Sequence, residues 1–161
     1  MNAAIEPWRP SRRGLGVLAV LWALICAANA AWALWLTDRL ASGEAPPVIG
    51  AFFFGAALGF MAAVLAELIF SRARPSVRLA VFLAMAFVGT VVATGLMLAI
   101  PQYLYYTQWH AAMFSKVWFI QFAFTFAGAF YQFAVVALRF YFPFAFLALL
   151  AIGWVLVRPR H

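Results

Sequence analysis

The strongest constraint on this chain is a series of apolar runs, each about as long as a bilayer is thick. The first run, 14–36, has 23 residues without a charge, and as a helix it extends about 35 Å. A hydrocarbon core is roughly 30 Å thick. Comparable runs follow at 48–70, 79–100, 117–138 and 140–157. Because lipid offers backbone groups no water, such runs span as helices. The sequence predicts an all-α, polytopic transmembrane helical bundle with five spans.

The composition excludes a soluble surface. Apolar residues make up 68% of the chain and charged residues 9%, whereas a soluble domain has roughly half and a quarter. A chain of 161 residues leaves no room for a second folded module. We therefore predict a single integral membrane domain over 1–161. The stretch 102–116 is rich in Tyr and Trp, which favour the head-group layer, so it is predicted to be an interfacial segment.

The basic residues lie at the ends of the apolar runs. The net charge is +7, but this placement fits contact with lipid head groups and excludes nucleic acid as a partner. Five spans with a cytoplasmic N-terminus put seven Arg or Lys residues inside and four outside, as the positive-inside rule requires. The seven are Arg9, Arg12, Arg13, Arg72, Arg74, Arg78 and Arg139. The frequent use of Arg and Ala indicates a bacterial protein, so we expect the bacterial inner membrane.

Two alternatives are also compatible with the sequence. In a four-span topology, part of 102–138 stays at the outer surface and the C-terminus returns to the cytoplasm, which sharpens the charge bias but leaves Arg139 within the membrane. In the second, residues 1–30 are a cleaved secretory signal, because Arg12 and Arg13 precede an apolar run and the triplet Ala28-Asn29-Ala30. The run continues through Leu36, which favours a retained helix.

The second span carries one face of small residues, within roughly 80° of arc at the helical spacing of 100° per residue. Small side chains let membrane helices approach closely. The face predicts tight packing, either inside this bundle or against a partner protein or second copy. Its members are Ala51, Gly55, Gly59, Ala62 and Ala66.

The fourth span carries a polar stripe within about 60° of arc at the same spacing. Its members are Gln121, Thr125, Gly128, Gln132 and Arg139. Polar side chains on a spanning helix must face protein or water. The stripe therefore either fixes helix packing or lines a route for a polar substrate or lipid head group, with Arg139 as an anion contact.

Two further polar residues lie inside predicted spans. Glu67 is the only carboxylate in any of them, and intramembrane acids are frequently functional. It lies about one helical turn from the end of its span, where an ion pair with Arg139 or Arg72 is expected, with proton or cation handling as the alternative. Asn29 is expected to make one interhelical hydrogen bond, or alternatively to contact a ligand.

The residue inventory argues against several chemistries. Two histidines and one cysteine do not supply a four-ligand zinc site or a bis-histidine haem, and no nucleophile-elbow, P-loop, metalloprotease or dinucleotide motif occurs. The sequence therefore predicts no metal, no cofactor and no catalytic residue.

Three functions follow in order of support. The first is a non-catalytic accessory, assembly or helper subunit that packs against another membrane protein or against itself. The second is a small transporter, channel or lipid-translocating component that uses the stripe on the fourth span. The third is a lipid-modifying enzyme, which would need Glu67, Asp38 or His110. Membrane lipids are predicted partners in every case.

Overall fold

A computed structural model describes residues 12–157, with side-chain positions for 13–74 and 76–152. Arg9 and the basic tail 158–161 lie outside the described residues. Within 12–157 the chain forms helices and turns and no strand. The α-helices are α1 (Arg12–Leu36), α2 (Ala45–Ile69), α3 (Pro75–Tyr106), α4 (Lys116–Gln132) and α5 (Phe144–Val157).

The predicted class, an all-α transmembrane helical bundle, is confirmed. Four helical stretches are long and apolar enough to cross a membrane, namely Arg13–Leu36, Ala45–Ile69, Ser76–Trp109 and Lys116–Tyr141. The fifth helix, α5, has 14 residues, about 21 Å of length. It is therefore shorter than a hydrocarbon core of roughly 30 Å.

Proline and serine define where three helices begin. Pro46 and Pro47 lie in the first turn of α2, and Pro75 is the first residue of α3. The missing amide hydrogen of proline costs little there, because the first amides of a helix have no intrahelical partner. The Ser115 hydroxyl accepts a hydrogen bond of 3.1 Å from the Trp118 amide and caps α4.

Helix α3 extends further than the predicted third span. Pro101 lies inside α3, which continues through it to Tyr106. One proline removes a single backbone hydrogen bond, which a long membrane helix tolerates. With 32 residues, α3 is about 48 Å long and takes in the first part of the predicted interfacial segment. Tyr105 and Trp109 are exposed there, with ring centroids 5.3 Å apart.

The small-residue face of α2 packs against α3 of the same chain. A Cβ atom built on Gly55 would lie 2.7 Å from the Thr94 Cα, and one on Gly59 would lie 2.5 Å from the Thr90 Cα. Real Cβ atoms do not come this close to another backbone. The two helices therefore meet backbone to backbone, with Ala51 and Ala66 buried beside the two glycines.

The predicted fourth span, 117–138, is not one regular helix. Helix α4 ends at Gln132 and is followed by a π-helical turn, Phe133–Ala137, and a 3-10 turn, Leu138–Tyr141. We call residues 133–143 the junction; the peptide bond between Phe142 and Pro143 is cis.

The chain changes direction at the junction. Helix α4 runs antiparallel to α3, because the Phe126 ring lies 5.6 Å from Tyr103 and Phe130 lies against Gly95. A straight continuation would carry Tyr141 about 16 Å beyond Phe130 along α3. Instead, Tyr141 hydrogen-bonds Thr94, the neighbour of Gly95. The junction thus begins and ends at about the same depth, and α5 starts there and packs against α1 and α3.

Candidate functional site

Buried hydrogen bonds from two helices hold the junction in place. The Asn29 Nδ2 of α1 donates to the Phe140 carbonyl at 2.6 Å, and the Tyr141 hydroxyl donates to the Thr94 Oγ1 of α3 at 2.7 Å. Asn29 is only 2% exposed. Because an unpaired polar group in an apolar interior is costly, these bonds strongly favour one position of the junction.

A third helix, α2, contacts the junction through an aromatic side chain. The Phe52 ring is fully buried, and its centroid lies 6.5 Å from Phe133, 5.9 Å from Phe140 and 4.9 Å from Tyr141. Aromatic pairs at such distances are mutually stabilising. Helices α1, α2 and α3 therefore each contribute a contact that fixes residues 133–141.

The depth of the junction follows from these contacts. Asn29 lies seven residues before the end of α1, and Phe52 lies seven residues after the start of α2. Seven residues of helix correspond to about 10 Å. The junction therefore lies at membrane depth, about two helical turns from the α1–α2 turn, residues 37–44, with Phe133, Phe140 and Tyr141 buried in the bundle and Val135 and Phe142 exposed.

A cavity of about 450 Å³ lies between the α1–α2 turn and the junction. Ligand sites commonly fall between about 300 and 1,000 Å³. The lining is mixed, with apolar side chains from α1, α2, α3 and the junction, and polar side chains from the turn and from Arg139. The apolar residues are Leu34, Val48, Leu98, Val136, Ala137 and Phe140, and the polar ones are Thr37, Arg39, Ser42, Glu44 and Arg139. We refer to this space as the junction cavity.

The charges of the junction cavity are unequal. Arg39 and Arg139 line it together with a single carboxylate, Glu44. Among the described residues, one salt bridge forms, between Glu67 and Arg78. Neither Arg39 nor Arg139 therefore has a salt-bridge partner in the described part of the chain. The guanidinium carbon of Arg139 lies 5.8 Å from the Phe140 ring centroid. The junction cavity is thus a partly apolar space with an excess of positive charge.

The predicted polar stripe does not form one continuous surface. The Gln121 Oε1 accepts a hydrogen bond of 2.7 Å from the Ala111 amide, and the Thr125 hydroxyl lies 3.2 Å from the His110 Nε2. Both side chains hold the turn between α3 and α4. Gln132 is exposed, and the space beside Gly128 is open.

Arg139 is displaced from the predicted stripe, because the π turn before it and the 3-10 turn that contains it change the number of residues per turn. The spacing of 100° per residue holds only within α4, which ends at Gln132.

Glu67 has a different partner from the two that were expected. Its carboxylate pairs with Arg78 of α3, and both side chains are largely buried. Arg139 lies at the opposite end of the bundle, beside the α1–α2 turn. The expectation of a pair with Arg139 or Arg72 was wrong. Pairing with Arg139 assumed that 117–138 runs straight through the membrane, and Arg72 is exposed in the turn between α2 and α3. The Glu67–Arg78 pair joins α2 to α3 near their common turn.

Several residues of the site were not identified from the sequence. Arg39 and Glu44 were not singled out there, since nothing in their spacing relates them to Arg139, which follows Arg39 by a hundred residues. Thr90 and Thr94 do carry a signal, since they are four residues apart on α3 and adjacent to Gly89 and Gly95. Thr90 accepts a hydrogen bond of 3.0 Å from the Trp22 indole, and Thr94 accepts one from Tyr141.

The geometry defines an all-helical membrane protein with a cationic, amphipathic cavity at one end of the bundle. Among the described residues, no group of three His, Cys, Asp or Glu side chains is placed to hold a metal ion. No family model, no curated protein and no solved structure matches the chain.

Proposed function

We propose that this chain is a non-catalytic membrane protein that binds one amphiphilic molecule, a membrane lipid, in the junction cavity. The observation that carries the proposal is the division of the cavity lining. Leu98, Val136 and Phe140 supply apolar surface, whereas Arg39 and Arg139 supply charge beside them. A molecule with an acyl chain and a polar head fits such a lining, because each part meets a matching surface.

The position of the junction cavity agrees with this assignment. It lies within about two helical turns of one end of the bundle, where the head group of a lipid meets its acyl chains. The polar residues of the α1–α2 turn are on the side of the bundle end, and the junction is deeper. A lipid held here keeps the orientation it has in the surrounding leaflet.

The packing of α2 on α3 weakens the support for an accessory role. Gly55 and Gly59 were the basis for expecting a docking face for another protein, and both contact α3 within the chain. An accessory or helper role in a membrane complex remains compatible with lipid binding, but it requires a different surface. Transport along the stripe loses its support from Gln121 and Thr125, because both are bonded within the α3–α4 turn.

Lipid retention tests this function directly. The protein is reconstituted in vesicles of mixed bacterial phospholipids, extracted into mild detergent and weighed intact by native mass spectrometry. We expect one lipid retained per chain. A Val136→Trp substitution should fill the cavity and abolish retention, because Val136 lines it.

Val135→Trp is the matched control, since Val135 is the preceding residue, is exposed and does not line the cavity. It should keep the lipid. The function is rejected when the unsubstituted protein retains no lipid, or when both tryptophan variants retain it equally.

A further inference from the structure

The junction cavity also carries information about the head group that it accepts. Two guanidinium groups and one carboxylate line it, which gives a net charge of +1. Arg139 is an exposed residue between Leu138 and Phe140 in an apolar stretch, and at this depth in a membrane an unneutralised charge is costly. A ligand with one negative charge balances the cavity, whereas a ligand of zero net charge leaves the excess in place.

Among the side chains that line the cavity, the hydrogen-bond donors available to a ligand are the two arginines. The Ser42 hydroxyl donates to the Arg39 carbonyl at 2.7 Å, and the Thr37 hydroxyl donates to carbonyls of α1 at 3.0 and 3.1 Å. Each hydroxyl has one hydrogen, so both oxygens are left as acceptors. Each guanidinium offers up to five N–H donors in a planar fork that matches the oxygens of phosphate or carboxylate.

The acceptors of the cavity complete the description of the ligand. Glu44, Ser42 and Thr37 lie on the same rim as Arg39. A head group that carries hydroxyl donors next to its phosphate satisfies both sets of groups. A choline head group has no hydroxyl or N–H donor for these acceptors, and its fixed positive charge adds to that of the arginines.

We propose that the junction cavity selects an acidic glycerophospholipid whose phosphodiester is held by Arg39 and Arg139 and whose hydroxylated head group donates to Glu44. Phosphatidylglycerol has this chemistry. This inference rests on the lipid-binding function proposed above and names the class of lipid. The two arginines come from segments a hundred residues apart, and the contacts that fix the junction bring them to one cavity.

A competition experiment tests the head group. The protein is reconstituted in vesicles with equal amounts of phosphatidylglycerol, phosphatidylethanolamine and phosphatidylcholine that carry identical acyl chains, and the lipid retained after extraction is identified by native mass spectrometry. We expect about tenfold enrichment of phosphatidylglycerol, the effect of one charge-assisted contact. Arg39→Gln and Arg139→Gln should each remove most of this enrichment while a lipid is still retained.

Arg72→Gln is the matched control, because Arg72 is exposed like Arg39 and Arg139 but lies between α2 and α3, away from the cavity lining, and the change should leave the enrichment unchanged. Retention of the three lipids in equal amounts by the unsubstituted protein overturns the head-group inference but leaves the lipid-binding function standing. Retention of no lipid rejects both. Release of bound phosphatidylglycerol by an excess of inorganic phosphate would identify a free-anion site instead, and would also overturn the inference.

Discussion

The α2–α3 pair and the α4–α5 junction show two opposite ways of placing a helix in this bundle. Helices α2 and α3 are long, regular and in backbone contact at Gly55 and Gly59, with no space between them. The junction is irregular and leaves a cavity of about 450 Å³ beside it. Helix α4 packs mainly on α3, and much of its remaining surface is exposed.

The difference shows where a cavity can form in a small membrane protein. Small side chains at helical spacing maximise van der Waals contact, which is a main source of helix association in lipid. A surface packed in this way has no room for a ligand. The junction is not regularly packed. Hydrogen bonds donated by Asn29 and Tyr141 fix its position. The close pair therefore supplies rigidity, and the irregular segment leaves space for the proposed site.

The first prediction concerns topology and has an all-or-none readout. Because the junction begins and ends at the same depth and α5 is only about 21 Å long, we expect α4 and α5 to share one crossing. Reporters fused after Gly43, Ala73 and Val157 should place Val157 on the same side as Ala73 and opposite Gly43. Finding Val157 on the side of Gly43 would show that α4 crosses completely, as five spans require, and would remove the contrast between the two regions.

The second prediction tests the closeness of the α2–α3 pair. Gly59→Ala should lower the free energy of unfolding by about 1 to 3 kcal/mol, because the new methyl group meets the backbone of Thr90 and forces the helices apart. The measurement is unfolding in mixed micelles with increasing SDS. Gly50→Ala, on the same helix with open space beside it, is the control and should be neutral or slightly stabilising. Equal effects at the two positions would mean that the pair is not in close contact.

The third prediction addresses the bonds that fix the junction and has the smallest effect. Tyr141→Phe keeps the ring against Phe52 but loses the hydrogen bond to Thr94, which should cost about 1 kcal/mol in the same unfolding assay. Tyr131→Phe, at an exposed position of α4, should have no effect. A double-mutant cycle with Thr94→Val then isolates the pair. If the effects of Tyr141→Phe and Thr94→Val are additive, the two side chains do not form this hydrogen bond. The junction would then be held by Asn29 and by the packing of the aromatic rings.

The predictable part of the fold is the part governed by local hydropathy. The bounds of α1 and α2 follow closely from the apolar runs 14–36 and 48–70, because lipid requires an uninterrupted helix wherever the backbone meets hydrocarbon. The fourth apolar run, 117–138, is also long and apolar enough to span a membrane, yet it does not form one regular helix. It breaks at 133–143 because Asn29, Phe52 and Thr94 supply contacts that a straight helix would not reach.

The sequence by itself determined that this is a helical membrane protein, and it singled out Gly55, Gly59, Asn29 and Arg139 as candidates for packing or contact roles. Hydropathy and side-chain size are properties of single residues and their near neighbours, so they can be read along the chain. Only the tertiary structure decided that Gly55 and Gly59 face α3, that Glu67 pairs with Arg78, and that Arg39 and Arg139 line one cavity. Those outcomes depend on contacts between distant residues, and in lipid hydrophobicity alone does not choose among them, since the solvent is as apolar as the core.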